Sequence, residues 1–118
     1  MSIMLYGISN CDTVKKARAW LAEQGVEYGF HDFRKQGLPG DRLDAWLRDI
    51  GWEQLLNRKG TTWRKLDPAV QAGVVDPTSA RAIMSAQPSI IRRPVIEWGR
   101  QTTVGFDPDT YRALIRRS

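Results

Sequence analysis

The sequence has 118 residues, 42% hydrophobic and 26% charged, enough for one packed core, which excludes disordered, collagenous and low-complexity chains. Eighteen Lys and Arg against thirteen Asp and Glu give a net charge of +5, a balance that suits small anions as well as nucleic acid. One cysteine, Cys11, can form neither an internal disulfide nor a multi-cysteine zinc site, so the disulfide-stapled secreted class is excluded.

Residues 3–6 form a short apolar run closed by Gly7, which predicts a buried strand ending in a turn. Residues 8–13 are rich in capping side chains. Val14, Ala17, Trp20 and Leu21 then recur at helical spacing, and Gly25 is the expected helix stop. Val26, Tyr28 and Phe30 alternate with polar or small residues, which predicts a second strand. A strand-helix-strand opening of this kind normally places its two strands parallel.

Residues 35–40 read as a turn. Leu43, Trp46, Leu47 and Ile50 then follow at i, i+3, i+4 and i+7, a helix that Gly51 ends. Trp52, Leu55 and Leu56 suggest a short further helical piece, and residues 57–62 a polar, basic break. Asp67-Pro68 and Asp76-Pro77 each pair an N-cap residue with proline at the first helical position, so the middle of the chain is expected to be helical. Residues 95–98 read as a strand, 99–101 as a hairpin turn, and 102–106 as the return strand. Asp107-Pro108 starts a last helix with Tyr111, Leu114 and Ile115 on one face.

The order β-α-β, then helices, then β-β-α predicts an α/β protein with a mixed sheet. It fits a thioredoxin-like fold of one domain, residues 1–118, with an all-helical insertion at about 38–87. Pattern alone also leaves ferredoxin-like folds open. No targeting segment is expected, and no apolar run approaches the roughly 20 residues of a membrane helix. The expectation is a soluble protein of a reducing cytoplasm.

Cys11 follows the first strand, where the first helix should begin. A helix N-terminus offers unpaired N–H groups and partial positive charge, and both favour the nucleophilic thiolate. Lys15 and Lys16 add positive field and Asp12 opposes it. The competing reading is a small core residue, as most free cysteines are. Arg92-Arg93-Pro94 also has two readings: a cis proline beside an anion-binding arginine, or a trans proline that starts a strand after two solvated arginines. From the residues alone the second is expected. Arg58 and Lys59 lie in a basic loop that suits an anion or solvent, and from the residues alone the solvated loop is expected. His31, the one histidine, is expected to be structural or at the surface. Trp46, Trp52 and Trp63 are expected as core or core-edge anchors, not as a base-stacking row. No phosphate-cradling glycine loop and no metal-ligand cluster is visible.

The segment YGISNCDTVKKA (residues 6–17) resembles the active-site segment of the glutaredoxin-coupled arsenate reductase family, which also includes Spx-type regulators. IRRPV (91–95) resembles that family's Arg-Pro motif, and LLNRKG (55–60) its basic loop. GWE (51–53), GTTWRKL (60–66) and GF (105–106) are most similar to its small YffB-like branch. The resemblance covers essentially the whole chain. It implies a thioredoxin-like fold, with Cys11 as redox thiol and Arg93 as its catalytic partner. It further implies that Asn10, Thr13, Lys15, Arg58 and Pro94 bind substrate or glutathione.

Glutathione would then be a cosubstrate, with no bound cofactor or metal. Glutaredoxin is an expected partner, nucleic acid and membrane are not, and a monomer is expected. Val14 stands where a CxxC motif would place a second cysteine, so turnover needs an external thiol. Three arginines surround the oxyanion in the family's arsenate reductases. Two transfer to Arg58 and Arg93; the third position falls on Phe106, which removes a charge-assisted contact worth roughly 1.5–3 kcal/mol. The resemblance thus implies a glutathione-dependent thiol reductase. Its alternatives are arsenate reduction itself and an Spx-like regulator that binds RNA polymerase without catalysis.

Overall fold

A computed structural model describes residues 2–117. Its elements are β1 (Met4–Gly7), α1 (Asp12–Glu23), β2 (Gly29–Asp32), α2 (Gly40–Asp49), α3 (Trp52–Leu55), α4 (Thr61–Arg64), α5 (Pro68–Ala72), α6 (Pro77–Ala86), a 3-10 turn at Pro88–Ile90, β3 (Val95–Glu97), β4 (Thr102–Val104) and α7 (Pro108–Arg117). They divide into two compact units. One runs up to Gln36 and resumes at Arg93; the other is Gly37–Arg92. Among the described residues no helix is long and apolar enough to cross a membrane.

The first unit holds one sheet of order β2-β1-β3-β4. β1 runs parallel to β2 and antiparallel to β3, and β4 returns antiparallel to β3. The fold is thioredoxin-like. Its core joins Leu5 and Ile96 of the sheet to Val14, Ala17 and Leu21 of α1 and to Tyr111 and Leu114 of α7. Each fully buried Val, Leu or Ile side chain among these contributes about 1.5–3 kcal/mol, and Ala17 less. Tyr111 is the hub, with ring centroids of Trp98, Phe106 and Trp20 at 5.0, 5.5 and 5.7 Å. Its hydroxyl donates to Gly105 O at 2.6 Å, so the buried polar tip is satisfied. Burial pushes its pKa up.

Gly7 ends β1 where α1 crosses it. A Cβ there would stand 2.7 Å from Val14 Cγ2, so the close approach of strand and helix needs glycine. That approach sets where the chain turns toward Cys11.

Three boundaries differ from expectation. The second strand is 29–32 rather than 26–30, because its register comes from pairing Gly29 with Met4. The alternation at Val26, Tyr28 and Phe30 reflects packing against the core. Arg18 of α1 covers two of these rings, 4.0 Å from the Phe30 centroid and 6.0 Å from that of Tyr28, and its Nε donates to Tyr28 Oη at 3.0 Å. The return strand ends at Val104, since Gly105 turns the chain at φ +85° and Phe106 packs on Tyr111. Residues 61–64, partly within the expected break, form α4.

The second unit, helix and turn apart from an isolated antiparallel bridge between Leu56 and Ile91, buries Leu43, Trp46, Leu55, Leu56, Met84 and Ile90. Asp67 and Asp76 cap their helices as expected: Asp67 accepts from Ala69 N–H at 3.0 Å and Asp76 from Ser79 N–H at 2.8 Å. The Arg81–Asp44 ion pair ties α6 to α2. Trp46 is buried, and Trp52 and Trp63 are half-buried.

Candidate active site

Cys11 is the N-cap of α1, in an extended conformation, its N–H donating to Ile8 O at 3.1 Å. The side chain is half-buried. No donor makes a full capping hydrogen bond to the sulfur, yet its surroundings favour the anion. Burial alone would push the thiol up. The Val14 N–H, the Arg93 side chain with its charge, and the Thr13 N–H outweigh it, so the pKa lies below its ordinary value. The stabilising groups are therefore the backbone of the first helical turn and one guanidinium. Asp12, Lys15 and Lys16, which made the balance undecidable from sequence, are all exposed. Exposed charges are screened by solvent and salt.

Arg93 and Pro94 overturn the reading made from residues alone. The Arg93–Pro94 peptide is cis, not trans. Arg92 is exposed, but Arg93 is half-buried, with its Nε atom buried, and acts on Cys11. Pro94 is buried, and its carbonyl accepts from Gly105 N–H at 2.9 Å. Of the other expected site residues, Thr13 contributes its backbone N–H and has an exposed side chain. Asn10 is exposed beside Cys11, and the Lys15 side chain is exposed. Arg58 belongs to the second unit, where its guanidinium lies 5.6 Å from the Trp52 ring centroid. Phe106, at the third arginine's place, is an edge of the aromatic core.

Sequence reasoning missed Asp32. Among the described residues it is the buried charged one, 4% exposed. Its carboxylate accepts from Ser9 N–H at 3.0 Å, Arg34 N–H at 3.0 Å and Lys35 N–H at 3.1 Å. It thus ties the end of β2 to the loop that leads into Cys11. The signal was present: an aspartate at a strand end catches N–H groups two and three residues on, the Asx pattern. Burial pushes the Asp32 pKa up, but the Ser9 and Lys35 N–H groups, the Ser9 hydroxyl and the Arg34 N–H outweigh it.

The folded pKa is therefore depressed. The stability that Asp32 contributes is present above the unfolded carboxylate value of about 3.9 and is lost as pH falls through the folded value. Asp32→Asn should cost about 1.5–3 kcal/mol at pH 7, because bonds to a charged acceptor are weakened. Urea unfolding of the two proteins should differ most at neutral pH and converge in acid. A gap that stays constant down the pH range would contradict this.

A cavity of about 440 Å³ opens at the same place, lined by Ile8, Ser9, Asn10, Asp32, Arg34 and Lys35. A conditioned thiol, a guanidinium beside it and a basic cavity at the preceding residues can bind an anionic partner and carry out sulfur exchange.

Known proteins share this arrangement of sequence and fold. The solved structure of a protein named YffB is 50% identical and superposes with a TM-score of 0.91, over 96% of this chain and 98% of that one. A solved arsenate reductase (ArsC) related protein from Brucella melitensis is 52% identical, with a TM-score of 0.76, over 98% of this chain and 96% of that one. The global transcriptional regulator Spx of Streptococcus pyogenes is 28% identical over 121 aligned residues, covering 98% of this chain and 86% of the regulator. The profile of the ArsC family matches residues 6–114, from the strand before Cys11 to the last core leucine, and the chain belongs to that family.

Proposed function

We propose that the protein is a single-cysteine thiol oxidoreductase that uses glutathione to reduce glutathione mixed disulfides. The observation that carries this reading is the Cys11 thiol, its pKa lowered by the Val14 N–H, Arg93 and the Thr13 N–H against the effect of burial. Thiolate is the attacking species in disulfide exchange.

The Cys11 thiolate attacks the glutathionyl sulfur of R–S–S–G. A Cys11–glutathione disulfide forms, and R–S⁻ leaves and takes a proton. The sequence holds one cysteine, so the second thiol comes from another molecule. A glutathione thiolate attacks the glutathionyl sulfur of the adduct, forming glutathione disulfide and releasing the Cys11 thiolate. The net reaction consumes one glutathione: the disulfide passes from R–S–S–G to glutathione disulfide, and the R sulfur is released as a thiol. Arg93 holds the sulfur anionic before attack and again as it leaves.

Phe106 speaks against arsenate as the substrate. An oxyanion cluster needs a cation there, and the position packs an aromatic ring edge-on against Tyr111. The test is a coupled assay with a glutathionylated peptide, glutathione, glutathione reductase and NADPH. Protein-dependent NADPH oxidation is expected. A parallel assay replaces the peptide by arsenate and adds glutaredoxin. Turnover with arsenate alone would overturn the substrate assignment. Turnover with neither would favour the regulatory role of the Spx relatives.

A further inference from the structure

The cavity beside the Cys11 loop has a composition that the exchange chemistry itself does not require. Its lining carries two cations, Arg34 and Lys35, an amide, a hydroxyl and the apolar wall of Ile8. The one carboxylate in the lining, Asp32, is already surrounded by the N–H groups of Ser9, Arg34 and Lys35. Those same bonds fix the Arg34–Lys35 turn against Ser9, two residues before Cys11. Lys35 N–H also bonds to Asp32 O at 3.1 Å, and Gln36 N–H to the same oxygen at 2.8 Å. Gln36 Oε1 in turn accepts from Asp32 N–H at 2.9 Å. The turn is thus pinned by its backbone, and both basic side chains are left exposed. Its volume is within the range of roughly 300–1,000 Å³ typical of small-molecule sites. A second cavity at Ser2, Ile3, Glu27, Tyr28 and Gly29 has a carboxylate and no cation in its lining, so it offers nothing comparable to an anion.

We infer that the Ile8–Asn10 and Arg34–Lys35 cavity is a carboxylate-recognition subsite that seats an anionic end of the glutathionyl group while its sulfur meets Cys11. The inference rests on the thiol-exchange reading above. Arg34 presents a fork that matches a carboxylate, and Lys35 adds a point charge. Asn10 bridges the subsite and the nucleophile in sequence, which explains how an exposed amide next to Cys11 takes part in binding. Asp32 is a positioning residue here: it acts through the backbone of Ser9, Arg34 and Lys35.

The test compares an anionic and an uncharged disulfide. The second-order rates of Cys11 with glutathione disulfide and with hydroxyethyl disulfide are measured for the native protein and for R34A/K35A. In both reactions the thiolate attacks one sulfur, forms a mixed disulfide and releases the other half as thiolate. The ratio of the two rates should fall by roughly three- to tenfold in the variant, the scale of two exposed ionic contacts, and the fall should shrink in high salt. An unchanged ratio would overturn the subsite. Ala keeps both backbone N–H groups, so the bonds to Asp32 survive and the variant should fold.

A second readout separates the subsite from the reaction. S-methylglutathione cannot exchange, and it should shift the amide resonances of Ser9, Asn10, Arg34 and Lys35 in the native protein but not in R34A/K35A. Shifts without any exchange by the native protein would leave the subsite standing and remove the proposed reaction. Exchange without those shifts would remove the subsite alone.

Discussion

Replacing Cys11 by Ser is expected to abolish thiol exchange while leaving the fold at least as stable. The two effects separate because Cys11 is both the sole thiol and a helix N-cap. As a cap it is poor, since the sulfur makes no full hydrogen bond to the first turn. Serine is among the preferred caps, and its oxygen can accept from the Thr13 or Val14 N–H, a gain of up to about 1 kcal/mol. As a nucleophile the hydroxyl lacks a base to activate it, and the groups around it that stabilise a thiolate cannot ionise an alcohol at neutral pH. Intact mass after exposure to glutathione disulfide should show an adduct on the native protein and none on Cys11→Ser. Urea unfolding should place the variant's midpoint at or above that of the native protein. An adduct or turnover in the variant would remove Cys11 as nucleophile. A large loss of stability would instead make Cys11 a packing residue of the α1 core.

What could be read from sequence was what local chemistry decides. Asp67 and Asp76 cap helices through N–H groups two or three residues away, and both were visible in the residues themselves. The helical period of Val14, Ala17 and Leu21 likewise located α1 and, with it, the terminus that carries Cys11. Features set by distant pairing were less visible. The second strand begins where Gly29 meets Met4, and no residue within 26–32 announces that partner. The return strand stops at a glycine whose carbonyl is held by Tyr111, six residues on. The isomer of the Arg93–Pro94 bond is a tertiary property, and residues alone favoured the wrong one.

The site divides in the same way. That Cys11 sits at a helix start was local and legible. That its helper is Arg93 rather than Lys15 or Lys16 was carried only by the resemblance of residues 91–95, because it depends on bringing the start of β3 beside the start of α1. Asp32, Arg34 and Lys35 lie within four residues of sequence, and their Asx pattern was there to see. Its meaning depended on Ser9, the fourth member, which arrives through the parallel pairing of β1 and β2.

Arg93→Ala should slow Cys11 at neutral pH and restore it at alkaline pH, and this crossover distinguishes its two roles. The Arg93 hydrogen bond and charge both pull the thiol pKa down, so their loss moves it up and leaves less thiolate at pH 7. Uncharged iodoacetamide reports that change alone. Its neutral-pH rate should fall by about tenfold, the scale of one lost hydrogen bond to a charged group. Above the new pKa the variant's thiolate should react at least as fast as the native one, because a more basic thiolate is intrinsically more nucleophilic. Anionic iodoacetate also senses the guanidinium as a docking charge, so it should stay slow where iodoacetamide recovers. Arg93→Lys keeps a cation but not the planar fork, and should fall between the two with both reagents. If iodoacetamide instead slowed by the same factor at every pH, Arg93 would be shaping access to the sulfur rather than its ionisation.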